Sequence, residues 1–225
     1  MRIRKIAVYL LVAAVMLGAV SCKKSAPASD ETGQKSSKSV IPKVTEENFR
    51  SFPAADESMF NVEHVNGGVA LTKCKAELKD KVIVVPEMIS GAEVVAVARG
   101  AFYENDDVVA IVLPDTVKII EGSAFFDCEN LKYVYLGSGL KETGDMVFNY
   151  CGSIEKIEFP EGIERIGGII ACDCASLKEI IIPASATDIP NGIMVRDDFN
   201  GVIKTPAGSV AEEIALEDGL KVENY

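Results

Sequence analysis

Val108–Asn130 reads VVAIVLPDTVKIIEGSAFFDCEN, Leu131–Ser153 reads LKYVYLGSGLKETGDMVFNYCGS, and Ile154–Ser176 reads IEKIEFPEGIERIGGIIACDCAS. Set under one another, the three segments agree column by column at a spacing of 23 residues, without a gap. Leu113-Pro114, Leu136-Gly137, Phe159-Pro160 and Ile182-Pro183 fall in one place, and Ile111, Val134, Ile157 and Ile180 in another. Phe102, Phe125 and Phe148 make a third column, continued by Ala171 and Met194. Val97, Ile120, Thr143, Ile166 and Ile189 make a fourth; Cys128, Cys151 and Cys174 make a fifth, between Asn105 and Asp197. A fixed period of this length is the signature of a repeat architecture.

Each unit has a mechanical reading. Tyr133-Val134-Tyr135-Leu136 alternates sides with the period of a strand. The Pro or Gly that follows ends it. A turn then leads to the Ile120-type residue, and Ala101-Phe102 or Ala124-Phe125 sends a ring inward. So short a unit cannot enclose a core alone, so it must stack on its neighbours. The expected fold is a repeat solenoid of about five coils over residues 82–200. It should carry one curved parallel sheet of short strands, 82–85, 110–113, 133–136, 156–159 and 179–182, with turns or short helical segments on the other side. Caps are expected at both ends, over 45–81 and 201–225. In the second, Ser209-Val210-Ala211-Glu212 has the form of a helix-capping box, Gly219 stands where a C-terminal cap belongs, and Leu220-Lys221-Val222 reads as a last strand.

These residues carry a resemblance. Ile120-Glu121-Gly122-Ser123-Ala124-Phe125-Phe126-Asp127-Cys128-Glu129-Asn130-Leu131, with the Val134-Tyr135-Leu136 strand, resembles the BspA-like (treponemal-type) leucine-rich repeats of bacterial surface proteins. Gly67–Thr72, Val82–Pro86 and Val94–Phe102 resemble that family's capping hairpin and first repeat. The resemblance covers about residues 60–225. It implies a non-enzymatic protein associated with surface attachment.

The N-terminus supplies an address. Met1–Lys5 carries three positive charges, Ile6–Val20 is free of charge, and Ser21-Cys22 follows. Fifteen residues are too few to span a bilayer and suit a signal-peptide core. Residues 1–21 therefore read as a signal peptide. Ala19-Val20-Ser21 before Cys22 resembles the lipobox of bacterial lipoproteins, which implies that Cys22 is lipidated and becomes the mature N-terminus. Leu is the commonest first lipobox residue, so Ala19 leaves cleavage without lipidation as the alternative. Residues 22–44 are rich in Ser and Lys and poor in apolar groups, the composition of a flexible tether. The expected location is the bacterial envelope, at the outer membrane or cell surface, with the membrane as one partner.

Charge narrows the partners. The chain has 23 basic and 34 acidic residues, for a net charge of −11, and the body over 45–225 holds 15 basic against 32 acidic. That balance repels phosphate backbones, so nucleic acid is not an expected partner. One histidine, His64, leaves little room for Ser-His or Cys-His catalysis. No cofactor or metal is implied: Cys172 and Cys174 have no second Cys pair or His cluster with them. The Cys column reads as buried thiols, although neighbouring coils are near enough for a bridge. Acids after the Phe column (Glu104, Asp106, Asp107, Asp127, Glu129, Asp173, Asp197 and Asp198) are out of register and read as a solvated edge.

One functional surface remains. If Ile111, Leu113, Val134 and Leu136 point inward, their alternates point out. The candidate binding face is then Val84, Val112, Tyr133, Tyr135, Lys156, Glu158 and Ile181, apolar at one end and charged at the other. Outward rings of this kind are expected to bind a protein or other macromolecule and to add little to stability. A scaffold that binds its own kind is the second reading, and a hydrolase using edge carboxylates the third.

Overall fold

The computed structural model describes residues 44–75, 82–190, 192–193 and 199–225. Among these the chain winds as a stack of coils whose repeat is the 23-residue period, and each side of the stack is held by backbone bonds between coils. On the first side run β3 (Val82–Val84), β6 (Ala110–Val112) and β8 (Tyr133–Tyr135), parallel, with Ile83, Ile111 and Val134 in register. Below them come β10 (Lys156–Glu158), β12 (Glu179–Ile181), β13 (Val202–Thr205) and β14 (Lys221–Asn224), also parallel.

The first correction concerns this sheet. The five strands expected in one sheet are split: β3-β6-β8 and β10-β12-β13-β14 are separate ladders. The bond by which the residue after each strand reaches the next coil runs from Val85 to Val112, Leu113 to Tyr135, Phe159 to Ile181 and Ile182 to Lys204. Among the described residues no such bond joins Leu136 to Glu158. The break falls where Gly137 stands in the proline column. Gly137 has φ +77, closed to proline and uncommon for other residues, and a Cβ there would collide with the Pro114 carbonyl. This coil therefore leaves its strand by a turn its neighbours cannot adopt.

On the other sides the expected turns are present and share each coil with further sheet. This is a second sheet, of very short strands. The hairpin β1 (Phe60–Val65) and β2 (Gly68–Cys74) starts it, and β5 (Ala92–Val97), β7 (Ile119–Ile120), β9 (Glu142–Thr143) and β11 (Arg165–Ile166) continue it. β4 (Met88–Ile89) folds back on β5. β-branched residues at these positions suit extended backbone. The third side is a ladder of turns, bonded from Phe102 to Ala124, Phe125 to Val147 and Phe148 to Ile170.

Two residues per turn sit in left-handed backbone. Ser123, Met146 and Ile169 repeat one such position, which Gly100 and Gly192 occupy in the outer coils; Glu104, Asp127, Tyr150 and Asp173 repeat the other. The core is the stacked columns. Phe102, Phe125 and Phe148 are almost wholly buried, with ring centroids 5.2 and 5.4 Å apart. Ile120, Thr143 and Ile166 lie behind them. Met194 and Asp197 fall outside the described residues, as do residues 1–43, with the expected signal peptide, Cys22 and the expected tether.

The C-terminal segment holds a short helix between β13 and β14. Helix α1 (Val210–Glu217) starts at Ser209, whose hydroxyl accepts from the Glu212 amide at 3.1 Å. The Glu212 carboxylate takes the Gly208 amide, one residue before the position a capping box would use. Gly219, at φ +75, closes the helix: its amide donates to Leu216 and that of Leu220 to Ala215.

Candidate functional site: a strapped sheet face and its cleft

The segment before the solenoid decides what the sheet face offers. Asn48 Oδ1 accepts from the Thr45 amide at 2.8 Å, and the Phe49 amide donates to Thr45, which sets up the 3-10 turn Phe49–Ser51. Phe52 then extends, and the Ala55 amide donates to Val84 at 2.8 Å. Residues 44–55 thus form a strap across β3, β6 and β8. Phe49 is 6% exposed and packs with Ala110 and Val112, its ring 5.5 Å from that of Tyr133. The Arg50 guanidinium lies 3.7 Å from the centre of the Tyr135 ring, close enough for a cation–π contact.

The candidate face is corrected accordingly. Val112 is buried, Val84 half-buried, and Tyr133 and Tyr135 half-buried beneath the strap, so the apolar end of the face is covered by the chain itself. The two tyrosines belong to a small second core, and their removal would cost stability as well as contact surface. The strap was not legible as such in the sequence. The available signal was Phe49-Arg50-Ser51-Phe52, two rings in an otherwise polar segment that has no repeat to stack in.

Four of the seven candidates meet at the break in the sheet. Between β8 and β10 opens a cleft of about 470 Å³, lined by Arg50, Tyr133, Tyr135, Ser138, Lys156 and Glu158 among others. Tyr135 donates its hydroxyl to Asp115 at 2.8 Å, and the same carboxylate oxygen takes the Ser138 amide at 2.7 Å. The Ser138 and Tyr135 bonds hold the Asp115 carboxyl below its ordinary range, while burial, then Asp115, push the Tyr135 phenol up. Lys156 bridges Glu158 at 2.8 Å and reaches Glu46 of the strap at 3.9 Å. At the rim, Glu155 lies between Lys132, at 2.7 Å, and Lys178, at 2.6 Å, and these bonds draw its carboxyl down to about 2. The cleft therefore has an aromatic wall and a charged wall. Ile181 is half-buried on β12, in register with Glu158 and Lys204, and does not line it.

The other sequence candidates are structural. Cys74, Cys128, Cys151 and Cys174 are free thiols. Cys128, Cys151 and Cys174 stand in a column, each thiol donating to a carbonyl of the preceding coil: Phe102 at 3.0 Å, Phe125 at 3.1 Å and Phe148 at 3.0 Å. Burial pushes the thiols of Cys74 and Cys174 up to about 12. Cys172 lies 3.3 Å from an Asp173 oxygen. His64 is exposed on β1.

A family model of the BspA type leucine rich repeat region matches residues 95–200 in six copies. That matched span is the stack of coils described above. Residues 95–200 are a BspA-type leucine-rich-repeat array. Among solved structures, the leucine rich repeat protein of T. pallidum is similar at 28% identity with a TM-score of 0.63, over 68% of this chain and 71% of that one. A leucine rich cell surface protein of Faecalibacterium prausnitzii is similar at 27% identity with a TM-score of 0.52. The match covers 77% of this chain but 39% of that longer one. No curated protein matches the chain.

Proposed function

We propose that this leucine-rich-repeat protein is exported, anchored by lipid at Cys22, and binds a macromolecular partner non-enzymatically through its sheet face. The observation that carries the reading is the cleft at the β8–β10 break. Tyr133 and Tyr135 face Lys156 and Glu158 across an opening that no strand pairing fills. Rings with few rotamers beside charged side chains are what interfaces concentrate at their centres. The charge-free Ile6–Val20 run and Ala19-Val20-Ser21-Cys22 support export and anchoring, as does the cell-surface description of the F. prausnitzii neighbour. Self-association through the last coil is disfavoured by Lys221 and Glu223, charged residues on the outermost strand β14.

Two measurements test the reading. Labelled palmitate is expected to enter the wild type and not Cys22→Ala; equal labelling, or none in either, contradicts the anchor. For the face, bacteria displaying the wild type or Lys156→Ala/Glu158→Ala are compared for adhesion to a panel of immobilised extracellular-matrix proteins. Both side chains are partly exposed, so the variant is expected to fold normally and lose the adhesion that the wild type shows. Equal adhesion by the two would remove the cleft from the account.

A further inference from the structure

A second surface lies on the turn side of the coils, away from the sheet face. Tyr103, Phe126 and Tyr150 form an exposed aromatic ladder, one ring per coil, with centroids 5.4 and 5.1 Å apart. Tyr103 is 49% and Tyr150 40% exposed. The rings do not contribute to the Phe102–Phe125–Phe148 column, which points the other way, into the core. The ladder's backbone is fixed by bonds from Glu104 to Phe126, Asp127 to Asn149 and Tyr150 to Cys172. The ladder is therefore held rigidly by the backbone, with Tyr103 and Tyr150 exposed and Phe126 half-buried between them.

Its surroundings choose the partner. Glu104, Asp106, Asp127 and Glu129 flank the rings, and among the described residues none of them is in an ion pair. Among the described residues Lys132 and Lys178 pair with Glu155, Lys156 with Glu158, Arg165 with Glu142 and Asp188, and Lys204 with Glu179, so these cations are engaged with acids other than those beside the ladder. Burial, then the charges of Asp106 and Glu104, keep the Asp127 carboxyl above its ordinary range.

We propose that the Tyr103–Phe126–Tyr150 ladder binds an arginine-rich, extended polypeptide, with guanidinium groups stacked on the rings and flanking carboxylates taking their charge. A planar guanidinium stacks on rings, which an ammonium does not, so arginine is favoured over lysine. Alternate side chains of an extended peptide recur at about 6.7 Å. Two arginines at positions i and i+2 therefore reach two neighbouring rings, bridging the small offset with their flexible stems. This surface is independent of the sheet-face reading.

The test titrates a fluorescein-labelled (Arg-Gly)₄ peptide into the full-length chain, beside (Lys-Gly)₄ and a neutral chito-oligosaccharide. The arginine peptide is expected to bind about fivefold or more tighter than the lysine peptide, the effect of about 1 kcal/mol of stacking. Tyr103→Ala/Tyr150→Ala should weaken it about tenfold or more, and Tyr103→Leu/Tyr150→Leu, which keeps apolar bulk, should weaken it similarly with an unchanged melting curve. Glu104→Gln/Asp127→Asn should weaken binding and flatten its salt dependence, while Lys156→Ala/Glu158→Ala leaves it unchanged. Equal binding of the two peptides, or binding indifferent to loss of the rings, would overturn the proposal in favour of general attraction to an acidic body. Ring-dependent binding of the oligosaccharide without the arginine peptide would overturn it in favour of a glycan platform.

Discussion

Replacing Phe125 with Ala removes the middle ring of the internal column. Phe125 is fully buried, and its ring lies 5.2 Å from that of Phe102 and 5.4 Å from that of Phe148. Truncating a buried Phe to Ala costs about 3–5 kcal/mol, the upper part applying where the site cannot collapse. Here the hydrogen-bonded turns on either side fix the spacing of the coils, so collapse is resisted and about 4 kcal/mol is expected. For a domain of this size that lowers Tm by roughly 8–16 °C. Lys132→Ala, which removes an exposed ion pair with Glu155, should cost less than about 1 kcal/mol. Urea and thermal melts of the full-length chain compare the two. A double substitution of Phe125 and Phe148 to Ala should cost less than the two single losses added, by about 0.5–1.5 kcal/mol, because one ring–ring contact is then counted twice. Similar small losses for Phe125→Ala and Lys132→Ala, or strict additivity of the pair, would refute the stacked column.

Three further outcomes follow. Ile169 is a β-branched residue at φ +54, in the column that Gly100 and Gly192 share; Ile169→Gly should raise stability by up to about 1 kcal/mol, whereas Ile170→Gly, one residue along and buried, should lower it severely, as melts will show. Lys132 and Lys178 hold the Glu155 carboxyl at about 2, so their stabilising pairs persist well below the ordinary carboxylate range and are lost only as pH falls through about 2. A carboxyl-resolved NMR titration should place that midpoint near 2, and a midpoint near 4.5 would contradict the pairing. In native protein at mild alkaline pH, Cys74, Cys128 and Cys151 should resist iodoacetamide and react only in urea, which mass spectrometry of the alkylated chain will check.

How much the sequence disclosed depends on periodicity. Columns such as Phe102–Phe125–Phe148 and Ile120–Thr143–Ile166 were legible because every coil repeats the same packing demand. The second sheet was harder to read, since Ile119–Ile120 and Glu142–Thr143 are strands of two residues, too short to alternate. The break at Gly137 was visible as a departure from proline in its column, but its effect on strand pairing depends on backbone angle. Ile169 and Met146 hid a left-handed column that only the flanking glycines announced. The strap lies outside the repeat altogether: nothing periodic ties Phe49 and Arg50 to Tyr133 and Tyr135, so the face was expected to be open. Long-range contacts of that kind follow from where the chain doubles back, and single-sequence patterns do not encode it.

The central claim is that residues 44–55 close one end of the sheet face and leave the β8–β10 cleft as its opening. The chain has no Trp, so Tyr133→Trp introduces a sole reporter beneath Phe49. Its fluorescence is measured with and without Phe49→Ala, alongside quenching by acrylamide. The account predicts blue-shifted, weakly quenched emission in Tyr133→Trp, and red-shifted, strongly quenched emission once Phe49 is removed. Red-shifted, readily quenched emission in both proteins would show that the strap does not cover the face.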